Sequence, residues 1–230
     1  MRSALGLALL PFLSSRMARA ATAEAVSGTI APPSGDMIYR RTLQRQLPGG
    51  IQLATTRDFR VRFSTAGDGY LVDGVQVSAR VEAPANLASL ARLEEQRVEK
   101  GVFPLALDHQ GRIVDGPDPA MTEQVSLALA EVRQRFADGG EVRELLDALS
   151  ASSTQLTAYL PQDLFAPAEG AVEQRQTIEL PWGQTGEVRV RFAASRDADT
   201  RLMRLATREV ITTLEGEERR SSERWELFRV

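Results

Sequence analysis

The sequence contains no cysteine, and His109 and Lys100 are its only histidine and its only lysine. Without cysteine the chain cannot form a disulfide, a thiolate nucleophile or a cysteine-ligated zinc site. A histidine-dependent catalytic scheme would have to use His109, which stands in the turn-forming sequence Asp108-His109-Gln110-Gly111. A solvated turn residue is the simpler interpretation. We therefore predict a protein that is not an enzyme and that uses no cofactor or metal ion.

Long basic segments and long hydrophobic segments are absent as well. The chain has 28 basic and 31 acidic residues, for a formal net charge of −3, and no lysine-rich or arginine-rich block. This balance argues against a nucleic-acid partner, which requires a concentrated basic patch. The apolar run Ala4–Leu13 is too short to span a bilayer. We therefore expect no integral membrane segment in the mature chain.

The N-terminus has the pattern of an export signal. Arg2 precedes the apolar run, and small residues follow it in the sequence Ala18-Arg19-Ala20. We predict a signal peptide over residues 1–20, a flexible leader over 21–35, and a mature protein that is periplasmic or secreted. The alternative is a short amphipathic helix that is retained at the N-terminus.

One stretch of sequence occurs twice. Leu-Pro-Gly-Gly at 47–50 precedes Arg-Val-Arg-Phe at 60–63, and Leu-Pro-Trp-Gly at 180–183 precedes Arg-Val-Arg-Phe at 189–192. Apolar residues alternate with arginine in both copies, which predicts strands with one dry face and one arginine-bearing face. The two copies indicate an internal duplication of a βββ unit, because they lie too far apart in the chain for a solenoid.

The arginines of the repeat have two interpretations. Arg60, Arg62, Arg189 and Arg191 are expected on a solvated face, each above a glutamate of a neighbouring strand. The alternative is a binding surface for an anionic head group or an acidic partner, because the guanidinium fork matches phosphate and carboxylate. We favour the solvated face.

The N-terminal unit is predicted to end in a third strand, and a hairpin over residues 103–114 is predicted to follow the first helix of the middle segment. A β-bulge is predicted at Asp73-Gly74, because the arms around these residues are short for a tight turn. The apolar residues expected to share one face of the third strand are Val75, Val77, Ala79 and Val81.

The middle of the chain, over residues 86–160, has the apolar spacing of helices. Asn86 is expected to cap a first helix that reaches about Lys100. Asp118-Pro119 is expected to open a second helix, and a third is expected to stop at Pro161. Helices from mid-chain would cover a sheet that is built from both ends.

The predicted fold class is therefore α+β. An antiparallel β-sheet, curved or half-barrel, would be built from N- and C-terminal βββ repeats over 36–82 and 171–230 and covered by two or three central helices. We expect a single domain over 36–230. The predicted core comprises Val61, Phe63, Val77, Val125, Leu129, Phe136, Leu145, Val190 and Phe192.

An exported, cysteine-free chain with a long antiparallel sheet and helices from its middle resembles LolA/LppX-like periplasmic half-barrel proteins. The resemblance is one of architecture, and no binding residue is carried over from that family. It implies a protein that holds an apolar or amphiphilic ligand between a curved sheet and its helices.

The predicted function is that of an exported, non-enzymatic protein that binds or carries an apolar or amphiphilic ligand, such as a lipid. A sheet that curves at glycine would leave a cleft which the helices cannot follow. The predicted ligand-binding residues are Arg41, Leu43, Arg45, Phe59, Val75 and Trp182. Because residues two apart in a strand share a side, Arg41 and Arg45 are expected on the strand face of Leu43, where either would supply a polar anchor. The alternative is a structural or protein-interaction component of the cell envelope, with an envelope protein as partner and no small-molecule ligand. A hydrolase built on carboxylates and hydroxyls is the third and least favoured class.

Overall fold

The computed structural model describes residues 28–46, 52–99, 101–115, 160–179, 185–214 and 216–230. The β-strands in these ranges are β1 (Met37–Gln46), β2 (Gln52–Ala66), β3 (Gly69–Glu82), β4 (Leu105–Leu107), β5 (Ile113–Asp115), β6 (Gly170–Glu179), β7 (Thr185–Arg196), β8 (Met203–Leu214) and β9 (Glu217–Arg229). A 3-10 turn over Ala85–Leu87 and the helix α1 (Ala88–Gln96) lie between β3 and β4.

The strands form one antiparallel sheet in the order β5-β4-β3-β2-β1-β9-β8-β7-β6. Strand β1 pairs with β2 on one side and with β9 on the other, so the first and the last described strands are neighbours in the middle of the sheet. The prediction of an antiparallel sheet assembled from both ends is confirmed. The C-terminal part contributes four strands, β6 to β9, where three were predicted.

Alternate residues of the central strands point to one side of the sheet, which we call the inner face. Tyr39, Phe59, Val61, Phe63 and Trp225 define it and belong to the hydrophobic core. The predicted core positions Val61 and Phe63 are confirmed, with exposed fractions of 1% and 7%. Of the other predicted positions, Val190 and Phe192 are half-buried. The predicted core residues that lie outside the described ranges are Val125, Leu129, Phe136 and Leu145.

One β-bulge changes which residues of β3 reach the inner face. Ser78 pairs with Asp58 and Gln76 pairs with Phe59, so Val77 is the extra residue of β3. Because side chains alternate along a strand, one inserted residue reverses the inward positions on either side of it.

Because of this bulge, two predictions for β3 are wrong: which residues reach the core, and where the bulge lies. Val81 faces inward and is buried, whereas Val75 and Val77 are exposed by 62% and 44%. The prediction of Val77 as a core residue and of a bulge at Asp73-Gly74 is therefore wrong. Gly74 pairs regularly with β2, and a Cβ built there would lie 2.5 Å from the Phe103 ring. Its missing side chain allows that ring to pack against the sheet.

Irregular segments cover the core end of the inner face. Ile30, Leu164 and Phe165 are almost completely buried although none lies in a strand or a helix. The backbone N–H of Ile30 donates to the His109 carbonyl at 3.0 Å, and that of Met203 donates to the Phe165 carbonyl at 2.8 Å. These hydrogen bonds hold the covering segments against the sheet.

The prediction of an α+β fold is wrong. Strands dominate the described residues, and α1, with nine residues, is the one α-helix among them. The predicted first helix exists, but Asn86 lies within the preceding 3-10 turn and the helix ends at Gln96 instead of near Lys100. The predicted second and third helices fall within 116–159, outside the described residues. Among the described residues, apolar side chains of irregular segments cover the core of the sheet.

The opposite, outer face carries the arginines of the repeat. Arg62 lies 2.6 Å from Asp36, and Arg191 lies 2.6 Å from Glu173 of the neighbouring strand. Arg189 pairs with Glu187 at 3.0 Å. These pairs fit the ion-paired outer face, but the predicted partner, a glutamate of a neighbouring strand, is found at close distance only for Arg191: Arg62 pairs with an aspartate and Arg189 pairs most closely with a glutamate of its own strand.

Candidate ligand-binding cleft

Beyond the aromatic core, the inner face continues as three cross-strand rows of side chains. Cross-strand neighbours on one face are close enough to act together. Counted outward from the core, the rows are Arg41–Arg57, Leu43–Thr55–Val81 and Arg45–Leu53. An apolar row therefore lies between two rows that contain arginine.

Helix α1 packs beside these rows because part of the edge of β3 is free. Strand β4 pairs only with residues 70–72 of β3. Farther along this edge, the Val81 N–H donates to Glu95 Oε1 at 2.9 Å. Gln76 holds the segment after the helix, since its Oε1 accepts from the Glu99 N–H at 2.9 Å. Both contacts are made at the C-terminal end of the helix, which is thereby attached to the strand.

Between α1 and the three rows lies a cleft of about 470 Å³. This volume falls within the range of small-molecule pockets. Helix α1 and the residues after it supply Ala91, Glu94, Arg97 and Glu99 to its walls, opposite the sheet rows. The cleft thus has apolar surface from four elements and charged groups of both signs.

The innermost row places two arginines directly opposite each other. Such a like-charge pair is destabilising unless carboxylates compensate it. Glu99 lies between the two, with an oxygen 3.2 Å from Arg41 Nη1 and the other 3.5 Å from Arg57 Nε. Glu94 accepts a hydrogen bond from Arg57 Nη2 at 2.9 Å. The arginine pair therefore depends on carboxylates from α1 and the segment that follows it.

Glu94 remains ionised because two arginines bind it. Hydrogen bonds from Arg97, at 2.6 and 2.9 Å, are the largest cause of its lowered pKa, and the bond from Arg57 adds to them against the opposing effect of burial. A carboxylate held in this way is a fixed negative charge at neutral pH.

Glu223 on β9 lies beside the cleft, directly opposite Leu43 in the sheet, and joins three strands. Its Oε1 accepts hydrogen bonds from Arg41 Nη2 at 2.6 Å and Nε at 3.1 Å. Its Oε2 accepts from Nε and Nη2 of Arg208 on β8. The Arg208 guanidinium also lies 5.1 Å from the centre of the Trp225 ring, within the range of a cation–π contact. With 7% of its side chain exposed, Glu223 is the buried centre of an ion-pair network.

Arg45 occupies the outermost row and differs from the other cleft arginines. Among the residues that the structure describes, no carboxylate lies within ion-pair distance of it, whereas Arg41, Arg57 and Arg97 each have one. Solvent reaches Arg45, yet desolvation by the cleft walls is the largest cause of its lowered pKa; Glu223 opposes this and Arg41 adds repulsion. Arg45 also borders a second depression of about 380 Å³ at the end of the sheet.

Three buried polar groups in or beside the network have no hydrogen-bond partner among the described residues. They are Arg57 Nε, the Tyr39 hydroxyl and the Trp225 indole N–H. Burial raises the pKa of Tyr39 well above its ordinary value, although Arg41 has the opposite effect. Tyr39 therefore stays neutral and does not supply a titrating group near neutral pH.

The structure brings three of the six predicted ligand-binding residues together. Arg41, Leu43 and Arg45 all line the cleft. Phe59 is buried in the core, with its ring centre 5.6 Å from that of Phe103, and does not reach the cleft. Val75 lies on the outer face of the sheet and is exposed. Trp182 lies outside the described residues.

Sequence reasoning missed the acidic half of the site and two of its arginines. The missed charged residues are Arg57, Glu94, Arg97, Glu99 and Glu223, and the apolar residue Val81 was missed as well. A signal for Arg57 was present, because it shares the inward period of Phe59 and Val61 along β2. The positions of the glutamates depend on contacts between distant parts of the chain, which no local pattern encodes.

No protein-family model matches the chain, and no curated protein matches its sequence. The resemblance to LolA/LppX-like proteins therefore stays a prediction. Within the described ranges, no helix has the length and apolar character needed to cross a membrane. The same ranges contain no cluster of three or more histidine, aspartate or glutamate residues arranged to hold a metal ion.

Proposed function

We propose that the protein is a non-catalytic binding protein that holds an amphiphilic ligand in the cleft between α1 and the inner face of β1 to β3. The observation that carries this proposal is the row Leu43–Thr55–Val81, which lies between two arginine-containing rows inside an opening of about 470 Å³. Ligand pockets combine mostly apolar walls with a few polar groups that fix orientation. A molecule with an apolar body and one polar end fits this arrangement.

The apolar walls supply the driving force in this proposal. Leu43, Leu53, Val81 and Ala91 come from β1, β2, β3 and α1 and face the same opening. Removing a methylene group from water contributes about 0.8 kcal/mol. Affinity should therefore rise about fourfold for each added methylene until the alkyl chain fills the cleft.

The charged groups of the cleft hold fixed charges, which suits them to binding a ligand and not to transferring protons. Glu94 and Glu99 are engaged by arginines of the cleft. Arginine is always protonated in proteins, so the cationic groups do not donate or accept protons during a reaction. Their fixed charges are suited to orienting a ligand.

Isothermal titration calorimetry with octanoate, decanoate and laurate, each below its micelle concentration, tests the proposal. Wild-type protein should bind all three with affinity that increases with chain length. Leu43→Glu replaces the central apolar side chain of the row by a carboxylate beside Arg41 and Arg45, and it should weaken binding at least about tenfold, since the ligand loses the leucine contact and would have to cover a charge. Val75→Glu is the matched control, because it makes the same change of charge on an exposed residue outside the cleft lining.

Two results would contradict the proposal. One is the absence of binding by every amphiphile of the series. The other is equal binding by the Leu43→Glu and Val75→Glu variants. Either result would favour the alternative of a structural or protein-interaction component of the cell envelope.

A further inference from the structure

The cleft carries more positive than negative charge. Four arginines and two glutamates line it. Glu223, which lies beside the lining opposite Leu43, is shared between Arg41 and Arg208 and does not reverse this balance. A walled opening concentrates the field of such an excess and attracts anions.

The positive charge that has no acidic partner lies at the outer end of the cleft. Arg41 and Arg57 have Glu99 and Glu94 as partners, and an anion entering there would have to displace a carboxylate. Arg97 pairs with Glu94 at 2.6 Å. Arg45 has no carboxylate within ion-pair distance in the described part of the chain, and solvent reaches it. A ligand can therefore accept hydrogen bonds from Arg45 without displacing a carboxylate, which it would have to do at Arg41, Arg57 or Arg97.

We infer that the ligand is a single-chain amphiphile with an anionic head group, a carboxylate or a phosphate, which Arg45 binds at the outer end of the cleft. This inference rests on the proposed function and adds the chemical class of the ligand and its orientation. The guanidinium fork binds either head group through two parallel hydrogen bonds. The alkyl chain then lies along Leu43, Thr55 and Val81, toward the inner arginine row.

The size of the cleft supports one alkyl chain. Its volume of about 470 Å³ lies in the lower half of the range for small-molecule pockets. Leu53 stands opposite Arg45 in the same row, so apolar surface begins directly beside the charged group. A head group at Arg45 therefore leaves its first methylene groups in contact with protein.

Four decyl compounds that differ only in the head group test this inference: decanoate, decyl phosphate, decanol and decyltrimethylammonium. Calorimetry at low ionic strength should give at least about tenfold tighter binding of both anions than of decanol, because a charge-assisted hydrogen bond is added. Decyltrimethylammonium should bind more weakly than decanol. The order of the two anions then identifies the source, a fatty acid if decanoate binds more tightly and a phosphorylated amphiphile if decyl phosphate does.

Arg45→Gln assigns the position of the head group. The affinity of this variant for the two anions should fall about tenfold, and its affinity for decanol should equal that of the wild type. Arg60→Gln is the matched control, because Arg60 is also exposed, has no ion pair among the described residues and lies on the outer face of β2. It should bind all four compounds as the wild type does.

The outcomes separate this inference from the proposed function. Equal affinity for decanol and the anions, with Leu43→Glu still weakening both, would overturn the anionic head group and leave the amphiphile site intact. An equal effect of Arg45→Gln and Arg60→Gln would overturn the placement at Arg45. Absence of binding by all four compounds would overturn the proposed function together with the inference.

Discussion

Replacing Glu223 by glutamine removes the carboxylate that joins β1, β8 and β9 beside the cleft. Glutamine keeps the shape of the side chain but not its charge. Arg41 and Arg208 both lose their charged partner at residue 223. Arg41 still has Glu99 at 3.2 Å. The variant therefore leaves buried positive charge with too little compensation.

The expected loss of stability follows from the burial of the network. Removing one partner of a buried ion pair typically costs about 3–5 kcal/mol. We expect the lower end, about 3 kcal/mol, because Arg41 keeps a second carboxylate. For a domain of this size, each kcal/mol lowers Tm by about 2–4 °C, so Tm should fall by about 6–12 °C.

Urea unfolding at neutral pH, followed by far-UV circular dichroism, measures this loss. The midpoint should fall without a change in the slope m, since the surface exposed on unfolding is unchanged. Glu226→Gln is the control: it lies on the same strand, faces outward and pairs with Arg224 at 2.8 Å. A surface pair contributes less than about 1 kcal/mol, so this variant should unfold near the wild-type midpoint.

A Glu223→Gln variant as stable as Glu226→Gln would refute the reasoning. That result would mean that the buried arginines do not depend on the charge of residue 223. The network would then position side chains without contributing to the free energy of unfolding.

Two further predictions concern acid stability and export. Arg40 lowers the pKa of Asp58 below its ordinary 3.8, chiefly through hydrogen bonds at 2.7 and 2.8 Å. The folded state therefore binds fewer protons, and this stabilisation is complete above pH 3.8 and lost as pH falls through the lower, folded value. The urea midpoints of wild type and Asp58→Asn should differ most at neutral pH and converge in acid; a constant difference would contradict this. The intact mass of the exported protein, measured by mass spectrometry, should correspond to a chain without residues 1–20. Recovery of a cytoplasmic protein that retains Met1 would exclude the signal peptide.

Parts of the fold could be predicted because their signals are local. The hairpin of β4 and β5 was expected from Asp108 and Gly111, and the structure shows the reason: the N–H groups of Gln110 and Arg112 both donate to Asp108 Oδ1. The alternation around Val61 likewise needs only neighbouring residues. Arg41, Leu43 and Arg45 were placed on one face by the same period, because residues two apart in a strand share a side.

The covering of the sheet was mispredicted because its signals are not periodic. Ile30, Leu164, Phe165 and Leu202 are nearly inaccessible to solvent, yet each lies in an irregular segment. An apolar residue in a loop has no spacing that distinguishes a core position from an exposed one. Helical periodicity was the only covering signal that the sequence offered, and it led to the wrong fold class.

By itself, the sequence determined the period-two strands, the turn at Asp108 and the inward phase of Arg41, because each depends on a few adjacent residues. Only the tertiary structure decided that Val77 bulges, that Val81 therefore faces the cleft, and that Glu223 lies against Arg41. Strand register and cross-strand contacts are set by pairing between residues far apart in the chain. For that reason the apolar and basic half of the cleft was visible in one strand, while its acidic half appeared only once distant strands and α1 were brought together.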